Sequence, residues 1–380
     1  MLSIKRLNIS NFRNYDAARI NLGHDTKFVI ISGKNGAGKT NILEAVSLFT
    51  SGRGLRNSGL LDMKNRKLPA NHVWTVSGEI CSIDNEIAKI GTAIDKTLAK
   101  RIVRINGENA KNQSSLDEYV SIIWLTPQMD RLFLDSASER RKFLDRLVGA
   151  YQSSHSAHIN RYEKAMRERL KLMQIETSPD EIWLDTLEKQ MAENAISIAA
   201  ARINLVSHLQ EHIVSLNAIS PMFPEPEIQL DNWVEQELLN NPAVEVEEKL
   251  RQKLKDNRLI DRETKRTIEG THRINMRVLY KKNNMPAEQC STGEQKALLV
   301  SITLGHALMM QAEKGYVPII LLDEIAAHLD SNRREQLFEV LKSLNGQVWL
   351  TGTDKNIFDS LTDISKMFDI NNGVITEIKG

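Results

Sequence analysis

Residues 33–40 read GKNGAGKT and match the spacing of a phosphate-binding loop. Glycines let the backbone curl so that successive N–H groups point at phosphate oxygens. Lys39 would supply a cation for the β- and γ-phosphates, and Thr40 a hydroxyl ligand for Mg²⁺. A buried-strand pattern precedes the loop and a helical pattern follows it, as such a loop requires. The predicted nucleotide-binding residues are Gly33, Lys34, Asn35, Gly36, Ala37, Gly38, Lys39 and Thr40.

An acidic pair ends the apolar stretch VPIILLDE at residues 317–324. Ligands of open α/β sheets bind at the carboxyl ends of the strands, where this stretch would deliver Asp323 and Glu324. Asp323 is suited to hold Mg²⁺ through its water shell, and Glu324 to activate an attacking water as a general base. An acidic pair after a strand can also be an ordinary surface turn, but the phosphate loop elsewhere in the chain favours the catalytic interpretation.

Another candidate anion site is the stretch STGEQK, which begins a predicted helix just upstream of that strand. The start of a helix presents free N–H groups to an anion. One nucleotide does not need two such sites from one chain, so we expect a dimer in which this helix covers the γ-phosphate held by the partner's loop. The alternative is a capping box, with a serine at the N-cap and a glutamate three residues later. The residues concerned are Ser291, Thr292, Gly293, Glu294 and Gln295.

Kinases, GTPases, transporters and DNA-repair ATPases all use a phosphate loop, so the order of the motifs must indicate the class. The order GKNGAGKT, STGEQK, LLDE and AAHLD resembles that of the ABC-type ATPases of the SMC and Rad50 branch. By this resemblance Ala327 and Asp330 belong to the D-loop, and Gln128 in TPQ is the Q-loop ligand of Mg²⁺. Thr353 occupies the switch position, where many such ATPases have a histidine. A hydroxyl cannot carry a proton as imidazole does, so we expect slow turnover.

Further stretches, among them LNISNFRNY and ASERRKFLD, are similar to the RecF family of bacterial DNA-repair proteins. This resemblance implies an ATP-dependent homodimer that closes on gapped or single-strand-containing DNA and hydrolyses ATP weakly, with Mg²⁺. It also implies help in loading recombinase, a part in SOS induction and a RecR-type recombination mediator as partner. One departure is Thr271 in GTHRIN, where the family commonly has proline. What that segment does here is left open.

Strand patterns and helical patterns occupy different parts of the chain, and this division indicates which elements position the motifs. Residues 1–145 show mainly strand patterns, 146–269 mainly helical spacing, and 270–380 strands alternating with helices. We therefore predict an α/β fold in which both ends of the chain form one ABC-type P-loop ATPase domain. Residues 146–269 would form an inserted helical arm, too short for a long coiled coil.

Composition gives little direct indication of a nucleic-acid partner. The 380 residues carry a net charge of +1, so any basic surface must be local. The arm's closing stretch, 249–282, is rich in lysine and arginine, and is equally well explained as solvated helix with ion pairs such as Glu247 with Arg251. The other candidate contacts to DNA, in a loop-like segment, are Arg53, Arg56, Lys64, Arg66 and Lys67.

Other function classes are less consistent with these features. The chain has no secretory signal pattern and no apolar run of membrane-spanning length, so we expect a cytoplasmic protein without membrane contact. The subunit of a membrane transporter would usually carry a switch histidine where Thr353 stands. A small-molecule phosphotransferase would complete its site within one monomer and leave STGEQK without a role.

Overall fold

The computed structural model describes residues 1–23, 26–69, 72–95, 100–175, 180–371 and 373–378. The chain forms two compact units. The first unit contains 1–130, 212–224 and 296–380, and the second contains 131–211 and 225–295. Within the described ranges, no helix combines the length and the apolarity needed to cross a membrane.

The strands and helices are numbered in chain order. The strands are β1 Ser3–Phe12, β2 Tyr15–Asn21, β3 Phe28–Gly33, β4 Thr75–Cys81, β5 Ile87–Ile94, β6 Arg101–Ile105, β7 Glu108–Asn109, β8 Ile122–Leu125, β9 Pro226–Asp231, β10 Asn275–Tyr280, β11 Met285–Pro286, β12 Ile319–Leu322, β13 Val348–Gly352, β14 Ser365–Asn371 and β15 Val374–Ile378. The helices are α1 Lys39–Ser47, α2 Ala137–Tyr151, α3 His155–Ile175, α4 Glu181–Ile219, α5 Trp233–Leu238, α6 Ala243–Asp256, α7 Arg258–Thr264, α8 Thr292–Lys314 and α9 Ser331–Ser343. The predicted α/β class is confirmed.

A mainly parallel sheet with the order β15-β14-β3-β13-β12-β8 positions the nucleotide motifs. Only β15 runs antiparallel to its neighbour. β3, β8, β12 and β13 are buried almost throughout, which explains why the sequence shows apolar runs there rather than alternation. Because these strands are parallel, their carboxyl ends meet at one edge of the sheet. Residues 33–40, the acidic pair, Gln128 and Thr353 all follow strands at that edge.

The first unit also contains an antiparallel sheet, β2-β1-β4-β5-β6-β7. β1 and β4 alternate between buried and half-buried residues, as the sequence pattern predicts for strands with one face on a core. Phe12 and Trp74 pack edge to face, with ring centroids 5.8 Å apart. Residues of both sheets and of α1 share one apolar core, which fixes the helix that follows the phosphate loop.

The second unit differs in its limits from the predicted arm, 146–269, because it also contains 131–145 and 270–295 and does not contain 212–224. Strand β10 pairs antiparallel with β9 rather than joining either sheet of the first unit. In addition, Arg140 of α2 donates to Asn275 Oδ1 over 2.8 Å. Both contacts join residues that are distant in sequence, so local patterns did not indicate them.

Buried charge is the main polar feature of the second unit. Arg202 is bidentate to Asp145, at 2.8 and 2.9 Å, and also reaches Glu235 at 3.0 Å. Thr271 completes this network, since its hydroxyl accepts from Arg202 Nη1 at 2.6 Å and donates to Glu235 at 2.7 Å. The departure from the family's proline therefore adds a hydroxyl to a buried ionic network.

A partly buried histidine in the same unit, His272, makes the free energy of unfolding depend on pH. His272 Nε2 faces the carbonyl of Thr267 at 2.9 Å, so this nitrogen carries the proton, and Nδ1 accepts from the hydroxyl of Tyr162 at 2.6 Å. Burial lowers the pKa of His272 to about 4. The imidazole of the unfolded chain binds a proton near pH 6.5. The contribution of neutral His272 to the free energy of unfolding is therefore fully present above that pH and is lost as the pH falls toward 4.

We expect the free energy of unfolding to fall by about 2 kcal/mol between pH 7 and pH 5 through His272 alone. Urea unfolding of wild-type protein and of His272→Gln at both pH values measures this difference, because glutamine has no such proton to bind. An equal loss in the two proteins would exclude His272 as its source.

Candidate nucleotide site

The phosphate loop runs from the end of β3 into α1, with a conformation that requires glycine. Gly38 has φ 119°, and a Cβ there would lie 2.5 Å from Asn14 Nδ2. At Gly33, with φ 148°, a Cβ would lie 2.5 Å from the carbonyl oxygen of Ile370. A Cβ at Gly36 would meet nothing within 4 Å, so this part of the loop faces open space. The loop therefore has one packed side and one side open to a ligand.

Asn14, in the turn between β1 and β2, and Tyr15, the first residue of β2, hold the packed side. Asn14 Nδ2 donates to the carbonyl of Ala37 at 2.8 Å, and the Tyr15 hydroxyl donates to that of Gly38 at 3.1 Å. Asn41 of α1 donates in turn to Asn14 Oδ1 at 2.7 Å. Asn14 and Tyr15 were quoted only as part of a resemblance, and nothing local indicated that they contact the loop.

Lys39 points into the loop. Its Nζ lies 2.8 Å from the carbonyl oxygen of Gly33, 3.2 Å from that of Lys34 and 3.4 Å from Glu324 Oε1. The side chain is only 3% exposed. A buried ammonium group held by carbonyls and one carboxylate can exchange these acceptors for phosphate oxygens, which form stronger charge-assisted hydrogen bonds.

Thr40 and Asp323 come together although 283 positions separate them. Thr40 Oγ1 lies 3.0 and 2.9 Å from the two carboxylate oxygens of Asp323. Burial raises the pKa of Asp323, while hydrogen bonds from Thr351 and Thr40 act in the opposite direction. A hydroxyl and a carboxylate at this spacing are the hard oxygen donors that Mg²⁺ prefers, so the donor set fits this ion.

Thr351, at the end of β13, links the two acidic residues. Its Oγ1 donates to Asp323 Oδ1 at 2.7 Å and accepts from the backbone N–H of Glu324 at 2.9 Å. Glu324 itself has φ 56°, in the left-handed region. Thr353, two positions later, is the residue predicted for the switch position, and no local pattern indicated Thr351. The parallel register that pairs Leu322 with Leu350 would have indicated it, because it brings the next residue of each strand together.

The remaining residues predicted for this edge are exposed. Gln128 lies in a short 3₁₀ turn, Pro127–Arg131, after β8, and Thr353 lies directly after β13. Ala327 is also exposed, and Asp330 caps α9 by accepting from Arg333 N at 2.9 Å. Their roles in the Q-loop, switch and D-loop stay predictions.

The stretch STGEQK lies in the second unit and forms the capping box that was the alternative interpretation. Ser291 N–H donates to Glu294 Oε2 at 2.8 Å, and Glu294 N–H lies 3.4 Å from Ser291 Oγ. Gln295 is buried and donates to the carbonyl of Cys290. Ser291, Thr292 and Gly293 are nevertheless exposed at the start of α8. A cap within one chain and contact with a second chain are thus compatible.

The predicted basic residues separate into two groups. Arg56 lies 2.7 Å from Asn41 Oδ1 and 3.2 Å from Glu44, a fully buried carboxylate on α1 that also accepts from Arg13. Lys64 donates to a backbone carbonyl, that of residue 69. These two side chains are engaged within the fold. The exposed ones are Arg53, Arg66 and Lys67.

The arm's basic stretch forms ion pairs. Arg251 pairs with Glu248 rather than with the predicted Glu247, and Lys249 pairs with Glu237. Arg258 contacts Glu188 and two further carboxylates, and this raises the pKa of its guanidinium. The exposed pairs of Arg251 and Lys249 favour the interpretation of this part as a solvated, ion-paired helix, whereas Arg258 is largely buried.

Comparison with known proteins gives matches along almost the whole chain. The RecF/RecN/SMC N terminal domain family matches residues 3–376. The DNA replication and repair protein RecF of Agrobacterium fabrum is 42% identical over 377 residues, which cover 99% of this chain and 98% of the relative. That of Mesorhizobium japonicum is 44% identical over 374 residues, covering 98% and 97%.

Solved structures show the same fold. The recombination mediator protein RecF with ATP in the RecFOR pathway matches with a TM-score of 0.84 at 23% identity, covering 99% of this chain and 98% of that one. The Smc head domain from Pyrococcus furiosus, bound to the C-terminal domain of ScpA, matches with a TM-score of 0.55 at 17% identity, covering 100% and 96%. The predicted ABC-type ATPase fold is therefore confirmed.

Proposed function

Because the chain belongs to the RecF family of DNA replication and repair proteins, we propose that it is an ATPase that binds DNA in recombinational repair. The observation that carries the ATPase part of this proposal is the contact of Thr40 with Asp323, 2.9–3.0 Å long, beside the buried Lys39, whereas the part in DNA repair comes from the relatives. This contact joins the phosphate loop to the acidic strand end, as a nucleotide site requires.

The residues divide the work of hydrolysis as follows. Backbone N–H groups of the loop and Lys39 bind the β- and γ-phosphates. Thr40 and Asp323, with Gln128, hold Mg²⁺, which neutralises charge on the phosphate oxygens when it is bound. Glu324 accepts a proton from the attacking water. Its carboxylate lies 3.4 Å from Lys39 Nζ, next to where the γ-phosphate would bind.

A second copy of the chain completes the site. Exposed Ser291 and Gly293 at the start of α8 are suited to contact the γ-phosphate held by the partner's loop. ATP would thus join two copies around DNA, and hydrolysis would release them. Thr353 provides a hydroxyl where an imidazole could assist, so hydrolysis is slow.

The DNA substrate and the protein partner are inferred from the relatives, not from the geometry of the site. Related structures are described as recombination mediators of the RecFOR pathway. We infer that this chain acts on gapped or single-strand-containing DNA with a RecR-type mediator, assists recombinase loading and contributes to SOS induction. Among the candidate contacts to phosphate, the exposed Arg53, Arg66 and Lys67 are the best placed.

ATP hydrolysis measured across protein concentrations tests the dimer. The rate per chain is expected to rise with concentration and then level off as dimers saturate. A small-molecule phosphotransferase would give a rate per chain that does not change on dilution, and this result would contradict the proposal.

Replacing Lys39 by Met is expected to weaken ATP binding about 10–100-fold, because a charge-assisted hydrogen bond contributes about 1.5–3 kcal/mol. Lys39→Arg keeps the positive charge but changes the shape of the side chain, so it separates the contribution of charge from that of hydrogen-bond geometry. Titration of a fluorescent ATP analogue measures both. Unchanged affinity in Lys39→Met would contradict the placement of the phosphates at this loop.

The double variant Arg66→Ala/Lys67→Ala is expected to reduce the slope of log affinity against log salt by about 2, since each lost phosphate contact removes about 0.9. Lys164→Ala/Lys189→Ala, exposed residues that pair with glutamates on α3 and α4, is the matched control for lost charge. Equal slopes in the two double variants would exclude this loop as the contact.

A further inference from the structure

Thr351 is buried beside the acidic pair, with both of its hydrogen-bonding functions in use. The residue is 1% exposed. A hydroxyl has one proton, and an N–H group can only donate to it, so the proton is left for the carboxylate oxygen on the other side. Thr351 Oγ1 must donate to Asp323, at 2.7 Å, and use a lone pair for the N–H of Glu324, at 2.9 Å. The hydroxyl is therefore locked in one orientation.

The backbone of Glu324 has a conformation that needs support from neighbouring residues. Its φ of 56° is unfavourable for a residue with a Cβ, and such conformations persist where surrounding contacts determine them. The hydrogen bond from Glu324 N–H to Thr351 is one contact of this kind. It holds the backbone from which the glutamate side chain leaves the strand end.

The same hydroxyl also orients the neighbouring carboxylate. Asp323 Oδ1 accepts from both Thr351 and Thr40, at 2.7 and 3.0 Å, while Oδ2 accepts from Thr40 at 2.9 Å. Thr40 alone contacts the two oxygens almost equally, so it does not distinguish them. Thr351 adds a contact to one oxygen only and thereby fixes the plane of the carboxylate.

The pairing of β12 with β13 does not depend on the hydroxyl of Thr351. β12 and β13 already pair along their length, at Ile320 with Val348, Leu321 with Trp349 and Leu322 with Leu350. The Thr351 contacts lie just beyond this ladder, at the edge where the phosphate loop also lies. Their effect is local to the two acidic residues.

We propose that Thr351 is a positioning residue for ATP hydrolysis, which orients the general base Glu324 and the Mg²⁺ ligand Asp323 through one hydroxyl. This inference rests on the proposed function, since the roles of the two acidic residues come from it. Binding of ATP depends mainly on the loop and Lys39, whereas the chemical step depends on the placement of the base. Loss of the hydroxyl therefore lowers kcat more than it changes KM.

The test compares Thr351→Val, which keeps the shape without the hydroxyl, with Thr351→Ser, which keeps the hydroxyl. In the valine variant kcat is expected to fall at least ~10-fold while the affinity for a fluorescent ATP analogue changes less than ~3-fold. The serine variant should retain kcat within ~3-fold. Thr303→Val is the matched control, because Thr303 is also buried and, among the described residues, its hydroxyl donates to a carbonyl of its own helix, that of Leu299, at 2.9 Å.

Amide hydrogen exchange of residues 322–325, measured without nucleotide, gives a readout independent of activity. Exchange at Glu324 should be faster in Thr351→Val and normal in Thr351→Ser and Thr303→Val. If the valine variant does not fold, Thr351→Ala and Thr351→Cys replace it in both assays.

Wild-type kcat and exchange in a variant without the hydroxyl would overturn the inference. Equal damage in the serine variant would do the same, because it would exclude the hydroxyl as the cause. Failure of the proposed function is distinguishable: wild-type protein would then hydrolyse no ATP, while the exchange data would still show whether Thr351 holds the Glu324 amide.

Discussion

The Glu324→Gln protein is expected to lose ~10²–10⁴-fold in ATP hydrolysis, because an amide cannot accept the proton of the attacking water. Glutamine keeps the shape of the side chain and an oxygen near Lys39, so ATP binding should persist. The ATP-bound dimer would therefore accumulate. In ATP and Mg²⁺ this variant should bind a gapped duplex about 100-fold more tightly than without nucleotide, within the usual range of coupling between two sites.

Fluorescence anisotropy of a labelled gapped duplex across a salt series measures this coupling, and light scattering measures the dimer. The double variant Lys39→Met/Glu324→Gln is the control, since it should show neither effect. A Glu324→Gln protein that stays monomeric in ATP at micromolar concentration would contradict the proposed clamp. DNA binding that is equal with and without ATP would leave the ATPase proposal intact and remove the coupling.

Replacement of Arg169 by Met is expected to destabilise the second unit by about 3–5 kcal/mol, the usual effect of removing one partner from a buried ion network. Arg169, Glu188 and Asp261 all have fully buried side chains. The guanidinium lies 2.9 Å from Glu188 and 2.6 Å from Asp261, and donates to the carbonyl of Leu254 at 2.6 Å. Methionine would fill the space and leave the charge of Asp261 uncompensated.

Urea unfolding followed by circular dichroism measures this loss. The double variant Arg169→Met/Asp261→Asn is the matched comparison, because it also removes the uncompensated negative charge of Asp261. Glu188 keeps Arg258 as its partner in both variants. The double variant should recover a clear part of the lost stability. A single variant that costs less than about 1 kcal/mol, or a double variant that is no better, would show that burial of this charge does not govern stability.

Local sequence patterns correctly placed residues 33–40 between a buried strand and a helix, and Asp323 with Glu324 directly after a buried strand, because both placements depend on neighbours in the chain. They also gave the α/β class, whereas the capping box at Ser291 was the less favoured alternative. They did not give Thr351 or Asn14, whose contacts arise from strand register and from a turn far away in sequence. A pattern of Lys and Arg likewise could not show that Arg56 is held by the buried Glu44.

The pairing of β3 has a consequence for biosynthesis. Its hydrogen-bonded neighbours are β13 and β14, near the end of the chain, so the strand that enters the phosphate loop leaves the ribosome long before either of them. At about 5–20 residues per second the delay is roughly 15–60 s. During this time five apolar or small residues, Phe28, Val29, Ile30, Ile31 and Ser32, have no sheet to join. Nascent chains that stop before residue 348 are therefore expected to be aggregation-prone and to depend on chaperones, because the central strand of the ATPase sheet is among the first to be made and the last to be paired.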